Sequence, residues 1–185
     1  MNVYDFDGTI FKGDSTAAFY NWCVHQHPRA LALLPKQIWR LISLPRDCGI
    51  TQVKEVLFAF LPLIPDMQKE LRLFWNANEH RIYPWYLKQK RADDVIISAS
   101  PRFLLEPICE RLGVTLIASE VDPATGKCLC ENCSKQNKPL RFREIFGNAA
   151  VEEFYSDSEG DLPMARLAER AYRVRRGRVY LWEHP

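Results

Sequence analysis

No apolar run in this 185-residue chain approaches the roughly 18 residues that a membrane-spanning helix needs. Nor does one sign of charge dominate: a net charge of +2 is too small for an electrostatic nucleic-acid binder, and none is expected as a partner. A secretory leader is not expected either, because Asp5 and Asp7 fall where a basic region and an apolar core would stand. Internal repeats and low-complexity segments are absent. The six cysteines, Cys23, Cys48, Cys109, Cys128, Cys130 and Cys133, are accordingly expected reduced, in a cytoplasmic setting. The last three form C-x-C-x2-C, but no fourth ligand follows at the spacing of a zinc site. His25 and His27 read as surface residues.

What is present is the composition of an ordinary globular protein. At 47% hydrophobic and 26% charged, the chain can build one sizeable core with an inserted sub-domain. Residues 2–6 (NVYDF) suit a short strand, and Val95–Ser98 a buried one. Further strands are expected over Val114–Ala118, Glu152–Ser156 and Tyr172–Val174, with helices over Phe103–Leu112 and Leu162–Arg170. Strands alternating with helices predict an α/β fold with a mostly parallel sheet. Between the first two strands, residues 15–90 carry helical spacing cut by prolines at 28, 35, 45, 62 and 65, with Asp66 placed to cap one helix. The block reads as an all-helical insertion.

The chemistry concentrates at strand ends. In DFDGT, Asp5 and Asp7 are two residues apart in an extended chain, so both side chains leave on the same side. Ligand sites of open α/β sheets lie beyond the carboxyl ends of strands, where this pair would stand. Gly8 permits a tight turn close to a ligand. Ser98 closes VIIS and offers a hydroxyl, followed by the backbone N–H groups of Ala99 and Ser100. Lys138 precedes a helical segment, and Asp157 and Asp161 follow the strand EEFYS. Singly these could be a turn, a helix cap, a solvated lysine and an N-cap. Jointly they are much harder to dismiss, and their polar groups suit an anion.

The order DxDGT, hhhS, Lys, DxxxD resembles the four motifs of the haloacid dehalogenase superfamily, and most closely its phosphoserine phosphatase branch. SASPRFLLEP, the D-P-A-T-G-K…N-C…K stretch from Asp122 to Lys138, and SDSEGDLPM extend the resemblance nearly end to end. It implies a Rossmann-like three-layer core from residues 1–14 and 91–185, with residues 15–90 as a helical cap. It also implies an Mg²⁺-dependent phosphatase acting on a small phosphorylated substrate. Asp5 would be the nucleophile, Asp7 the general acid and base, and Ser98 and Lys138 the grip on the phosphoryl group. Asp5, the backbone carbonyl of Asp7 and Asp157 would hold the metal, with Asp161 orienting them. Gly8, Thr9, Ala99 and Ser100 would line the substrate position.

Where phosphoserine phosphatases use a glutamate to read the amino group, this chain has Asp14, one methylene shorter. The insertion also holds Phe19, Tyr20, Trp22, Trp39, Phe58, Phe60, Phe74 and Trp75, expected mainly as packing, with a minority available to an apolar leaving group. In PRALALLPKQIWRLISLP, Arg29, Lys36, Arg40 and Ser43 oppose the leucines and isoleucines. Such a basic amphipathic helix suits a solvated cap surface, and less often an anionic membrane. Lipid-phosphate hydrolysis and transfer to an alcohol acceptor remain alternatives. A phospho-accepting signalling module would have no use for a proton-shuttling Asp7 or for so long an insertion.

Overall fold

The computed structural model describes residues 1–45, 47–183 and 185. The sheet begins with β1 (Asn2–Tyr4), buried along its whole length. Among the described residues, five α-helices follow before the next strand: α1 (Ser15–Gln26), α2 (Leu34–Ser43), α3 (Ile50–Leu57), α4 (Met67–Asn78) and α5 (Pro84–Gln89). Then come β2 (Val95–Pro101), α6 (Arg102–Leu112), β3 (Thr115–Ser119), α7 (Asn137–Phe146) and β4 (Val151–Ser156). The chain ends with α8 (Leu162–Ala165), β5 (Ala168–Arg175) and β6 (Arg178–Leu181).

The strands line up in the order β3-β2-β1-β4-β5-β6, all parallel except the β5–β6 pair. The fold is therefore a Rossmann-like α/β sheet, as the alternation predicts. Side-chain alternation builds its two faces. Tyr4 and Ile96 enter one core, whereas Val3, Val95 and Ile97 enter the other. The first face carries a row of stacked rings, Tyr4 on Tyr155 at 4.7 Å and Tyr155 on Tyr172 at 4.8 Å, because these residues are register partners on β1, β4 and β5. On this face Tyr86 of α5 meets Tyr4 edge-on, and Trp75 of α4 packs on Phe6 and Phe11 while donating to the Leu104 carbonyl at 2.7 Å. Thus α4 and α5 pack on the sheet, whereas α1 and α3 contribute to the walls of a cavity at its carboxyl edge.

Local signals explain the helix starts. Asp14 accepts from the Ala17 N–H at 2.8 Å and Asp66 from the Lys69 N–H at 3.0 Å, each capping the helix that follows. Pro35 falls in the first turn of α2, where a missing N–H costs nothing, so it opens that helix rather than interrupting one.

One expectation needs correction at the C-terminal end. The helix expected over Leu162–Arg170 stops at Ala165, and Ala168–Arg170 belongs to β5. Parallel pairing to β4 and burial of Ala171 and Val174 outweigh the helical spacing. The strand then turns through Arg176 and Gly177, both at positive φ, and returns as β6.

Candidate active site

Chain reversal after β1 brings the first acids to the sheet's carboxyl edge. Gly8 adopts a φ of +71°, and a Cβ there would run into the carboxylate of Asp157. Only glycine therefore lets the loops after β1 and β4 approach this closely. Thr9, fully buried, ties the same loops together. Its hydroxyl donates to Asp5 Oδ2 at 3.1 Å and accepts from the Asp157 N–H at 3.0 Å. It positions two acids, and its hydroxyl is already engaged.

Lys138 lies in the first turn of α7 and is buried. Its ammonium donates to Asp5 Oδ1 and to Asp161 Oδ2, both at 2.7 Å. The solvated-surface reading of this lysine is thus ruled out. Asp161 also accepts from Ser156 Oγ at 2.7 Å, so its carboxylate orients the lysine from behind. Burial disfavours the charged lysine, but the two carboxylates outweigh it and raise its pKa. One ammonium cannot neutralise two carboxylates. Burial pushes the Asp5 carboxyl up to about 7, with Lys138 opposing that shift and Asp161 adding to it.

Asp7 is held differently. Its Oδ1 accepts from the Ser15 N–H at 2.6 Å and its Oδ2 from Ser100 Oγ. Ser100 is in turn 2.9 Å from Thr16 Oγ1. Burial raises the Asp7 pKa, against the hydrogen bonds from Ser100 and Ser15. A carboxyl that gains a proton readily yet stays fixed in place suits proton transfer.

The acids, Gly8 and Lys138 open into one cavity of about 660 Å³. Its wall includes Asp5, Asp7, Gly8, Asp14, Ser98, Ala99, Ser100, Lys138, Asp157 and Asp161, which the sequence analysis singles out. Thr9 alone of that set is not on the wall. Ser98 is buried, and its hydroxyl accepts from the Ser100 N–H at 3.1 Å, curling the backbone at the end of β2. Asp14 is doubly placed, as the cap of α1 and on the cavity wall.

Lys54 belongs to none of the motifs in the sequence. This lysine of α3 reaches across the cavity to donate to the Ala99 carbonyl at 2.6 Å and to Asn132 Oδ1. Burial lowers its pKa. Asn132, itself buried, also accepts from Ser119 Oγ and donates to Ser134 Oγ. The only hint in the sequence is the lone cation in QVKEVLFAF.

The donor set also bears on a metal. Among the described residues no three His, Cys, Asp or Glu side chains gather as a ready-made cage. Of the aspartates on the cavity wall, Asp5 and Asp157 stand beside a main chain opened by Gly8. Asp157 is exposed on the cavity side, yet desolvation at the wall, and next the Asp161 carboxylate, raise its pKa. An all-oxygen site with surplus negative charge fits Mg²⁺, which takes one or two carboxylates and fills the rest of its shell from water and phosphate. The three neighbouring cysteines have other surroundings: Cys133 is buried, Cys130 accepts from Arg141, and the Cys128 N–H donates to Glu55.

A sequence model of the haloacid dehalogenase-like hydrolases matches residues 3–166, and the chain belongs to that family. It is 29% identical to protein CicA of Caulobacter vibrioides over 95% of this chain and 86% of that one. A protein of unknown function from Bordetella pertussis Tohama I shares the fold at a TM-score of 0.76 and 17% identity, over 92% of this chain and 87% of that one. A probable phosphoserine phosphatase from Vibrio cholerae matches at a TM-score of 0.59 and 17% identity, over 92% of this chain and 55% of that one.

Proposed function

We propose that this member of the haloacid dehalogenase-like hydrolases is an Mg²⁺-dependent phosphatase that hydrolyses a phosphate monoester through an aspartyl-phosphate on Asp5. The observation that carries the reading is the pairing of two unlike acids in one cavity. Asp5 is fixed by Lys138 and Thr9, and Asp7, two residues on, is held by Ser15 and Ser100. One acid is placed to attack and the other to move protons.

In the first step a carboxylate oxygen of Asp5 forms a bond to phosphorus as the ester P–O bond breaks, and Asp7 protonates the departing alkoxide. In the second step Asp7 takes a proton from water, whose oxygen attacks phosphorus and releases phosphate and the Asp5 carboxylate. Lys138 and the groups around Ser98 stabilise charge on the phosphoryl oxygens, which is most of what a phosphoryl transfer asks of a protein. Asp5, the Asp7 carbonyl and Asp157 would hold Mg²⁺, which when bound offsets repulsion between carboxylate and phosphate. Asp161 is a positioning residue, acting through Lys138.

Residues 1–14 and 91–185 supply the catalytic core in this reading, and residues 15–90 act as a cap. Small phosphorylated metabolites such as phosphoserine are candidate substrates, with Asp14 facing the alcohol half. The test is turnover of p-nitrophenyl phosphate and a panel of phosphate monoesters with Mg²⁺, with acid-quenched protein analysed for phosphate on the Asp5 peptide. Turnover with label on that peptide supports the reading. Turnover with no label there would overturn the covalent route, and no turnover of any ester would overturn the hydrolysis.

A further inference from the structure

The catalytic cavity has a neighbour. A second cavity of about 420 Å³ shares Asp14, Thr16, Leu57 and Phe58 with it, so the two adjoin between α1 and the end of α3. Its remaining wall is largely apolar. Phe19 and Tyr20 come from α1, Leu34, Ile38 and Leu41 from α2, and Phe60 from the turn after α3. Asp14, on the shared wall, is its only charged side chain among the described residues. The side-chain nitrogen of Gln37 donates to the Val56 and Leu57 carbonyls at 3.0 and 3.1 Å.

Such a space beside a charged site is not what a small polar leaving group requires. Phosphoserine has nothing to place against Phe19, Leu34 and Phe60. The apolar character also continues outward. Leu34, Ile38, Leu41 and Ile42 follow helical spacing along α2. At the outer end Ile38, Trp39 and Ile42 are 54%, 69% and 78% exposed, an uncommon grouping on a protein surface. Lys36 and Arg40, both exposed, stand on the opposite side of the helix.

We propose that the alcohol half of the substrate is a long apolar chain. The phosphoryl group would lie against Asp5 on the cavity side, with Lys138 and Ser98 on the same wall, and the chain would pass Leu57 and Phe58 into the cavity between α1 and α2. This rests on the phosphatase reading for its chemistry but not for its geometry. The substrate is thus an amphiphilic phosphate monoester, met either as a single molecule in water or as the head group of a membrane lipid.

The experiment is a homologous series. For n-alkyl phosphates from ethyl to decyl, held below their aggregation limits, kcat/KM should climb about fourfold per added methylene until the cavity is filled, the equivalent of about 0.8 kcal/mol. In parallel, dissociation constants of the matching alkylphosphonates, measured by calorimetry with Mg²⁺, should fall with chain length. Ala17→Phe, which projects into the cavity from α1, and Ile38→Asp should each cut the octyl-to-ethyl ratio by at least about tenfold. Taking the ratio within each variant removes any general loss of activity.

Good turnover of short esters with no length dependence in either series would overturn the apolar-chain assignment and leave the phosphatase reading standing. Absent turnover with phosphonate affinity that still rises with length would do the reverse. The source is separated by presentation. Hydrolysis of phosphatidic acid in phosphatidylcholine vesicles at a rate matching octyl phosphate assigns the bilayer, whereas octyl phosphate turnover alone assigns a dissolved amphiphile.

Discussion

Lys54 donates to the carbonyl of Ala99, so a helix of the insertion is fastened to the strand end that carries Ser98. The same ammonium holds Asn132, which fixes Ser119 and Ser134 in turn. A lysine used in this way ties two parts of the cavity wall together and puts a positive charge on it. Lys54→Met should therefore raise KM for all phosphate monoesters while changing kcat less, because the reacting acids are untouched. Steady-state kinetics on p-nitrophenyl phosphate and octyl phosphate check this. A selective fall in kcat with unaltered KM would place Lys54 in the chemical step instead.

The two acids of DFDGT should separate in kind. Asp5→Asn keeps an acceptor for Lys138 but removes the nucleophile, so turnover should vanish with the fold intact by circular dichroism. Asp7→Asn should slow alkyl phosphates by about 10²–10⁴, the usual worth of a positioned acid or base. Loss should be smaller on p-nitrophenyl phosphate for the first step, because its leaving group needs no proton. Rapid-quench measurement of label on Asp5 would then show the acylphosphate accumulating in the Asp7 variant.

Lys138 and Asp161 make a stability prediction as well as a kinetic one. Lys138→Met leaves two buried carboxylates without their cation, and breaking such a pair typically costs about 3–5 kcal/mol. Asp161→Asn keeps an acceptor for Ser156 and should act more mildly, with an activity loss of about 10–100-fold. Denaturant midpoints and kcat/KM measured together distinguish the two. Equal destabilisation by both substitutions would mean that Asp161 bears charge for the fold rather than for orienting the lysine.

Much of this was legible because it is local. A strand end with two acids at i and i+2, a strand closing on serine and a strand running into DxxxD are each read within a few residues. The environment of Lys138 is not local: its partners lie 133 and 23 residues away, so in sequence it looks solvated. Lys54 is harder still, since its anchor is a backbone carbonyl 45 residues on, which has no residue-type signature. At the C-terminus, MARLAERA carries helical spacing that only pairing with β4 overrides. The Arg176–Gly177 turn was visible in principle, as glycine between two runs of alternating side chains.

Gly8 offers a controlled test of the proposed metal site. Gly8 and Gly113 both sit in the left-handed region, at φ +71° and +68°, but only Gly8 has a neighbour where a Cβ would go. Replacing either with alanine should cost the backbone strain of about 1–2 kcal/mol. Gly8→Ala should in addition displace Asp157, raising the Mg²⁺ concentration needed for half-maximal activity, as Asp157→Ala should too. Chelation by EDTA should abolish activity of the unmodified protein and added Mg²⁺ restore it. An Mg²⁺ requirement in Gly8→Ala no different from that of Gly113→Ala would remove Asp157 from the metal site.

Asp14 stands on the wall common to both cavities, and the two substrate classes make opposite demands on it. An amino-bearing substrate gains a charge-assisted hydrogen bond there, worth on the order of 1.5–3 kcal/mol. An apolar chain passing the same carboxylate gains nothing and must strip its water. Its cap on α1 complicates alanine, since losing that bond to Ala17 costs about 1 kcal/mol of stability whatever the substrate. Asn caps equally well without the charge. Relative to p-nitrophenyl phosphate, Asp14→Asn should therefore lower kcat/KM for phosphoserine and raise it for octyl phosphate, with an unchanged melting temperature. A fall for phosphoserine with no rise for octyl phosphate would place the amino group, and not the chain, beside α1. No change for either would leave Asp14 as the cap of a helix and nothing more.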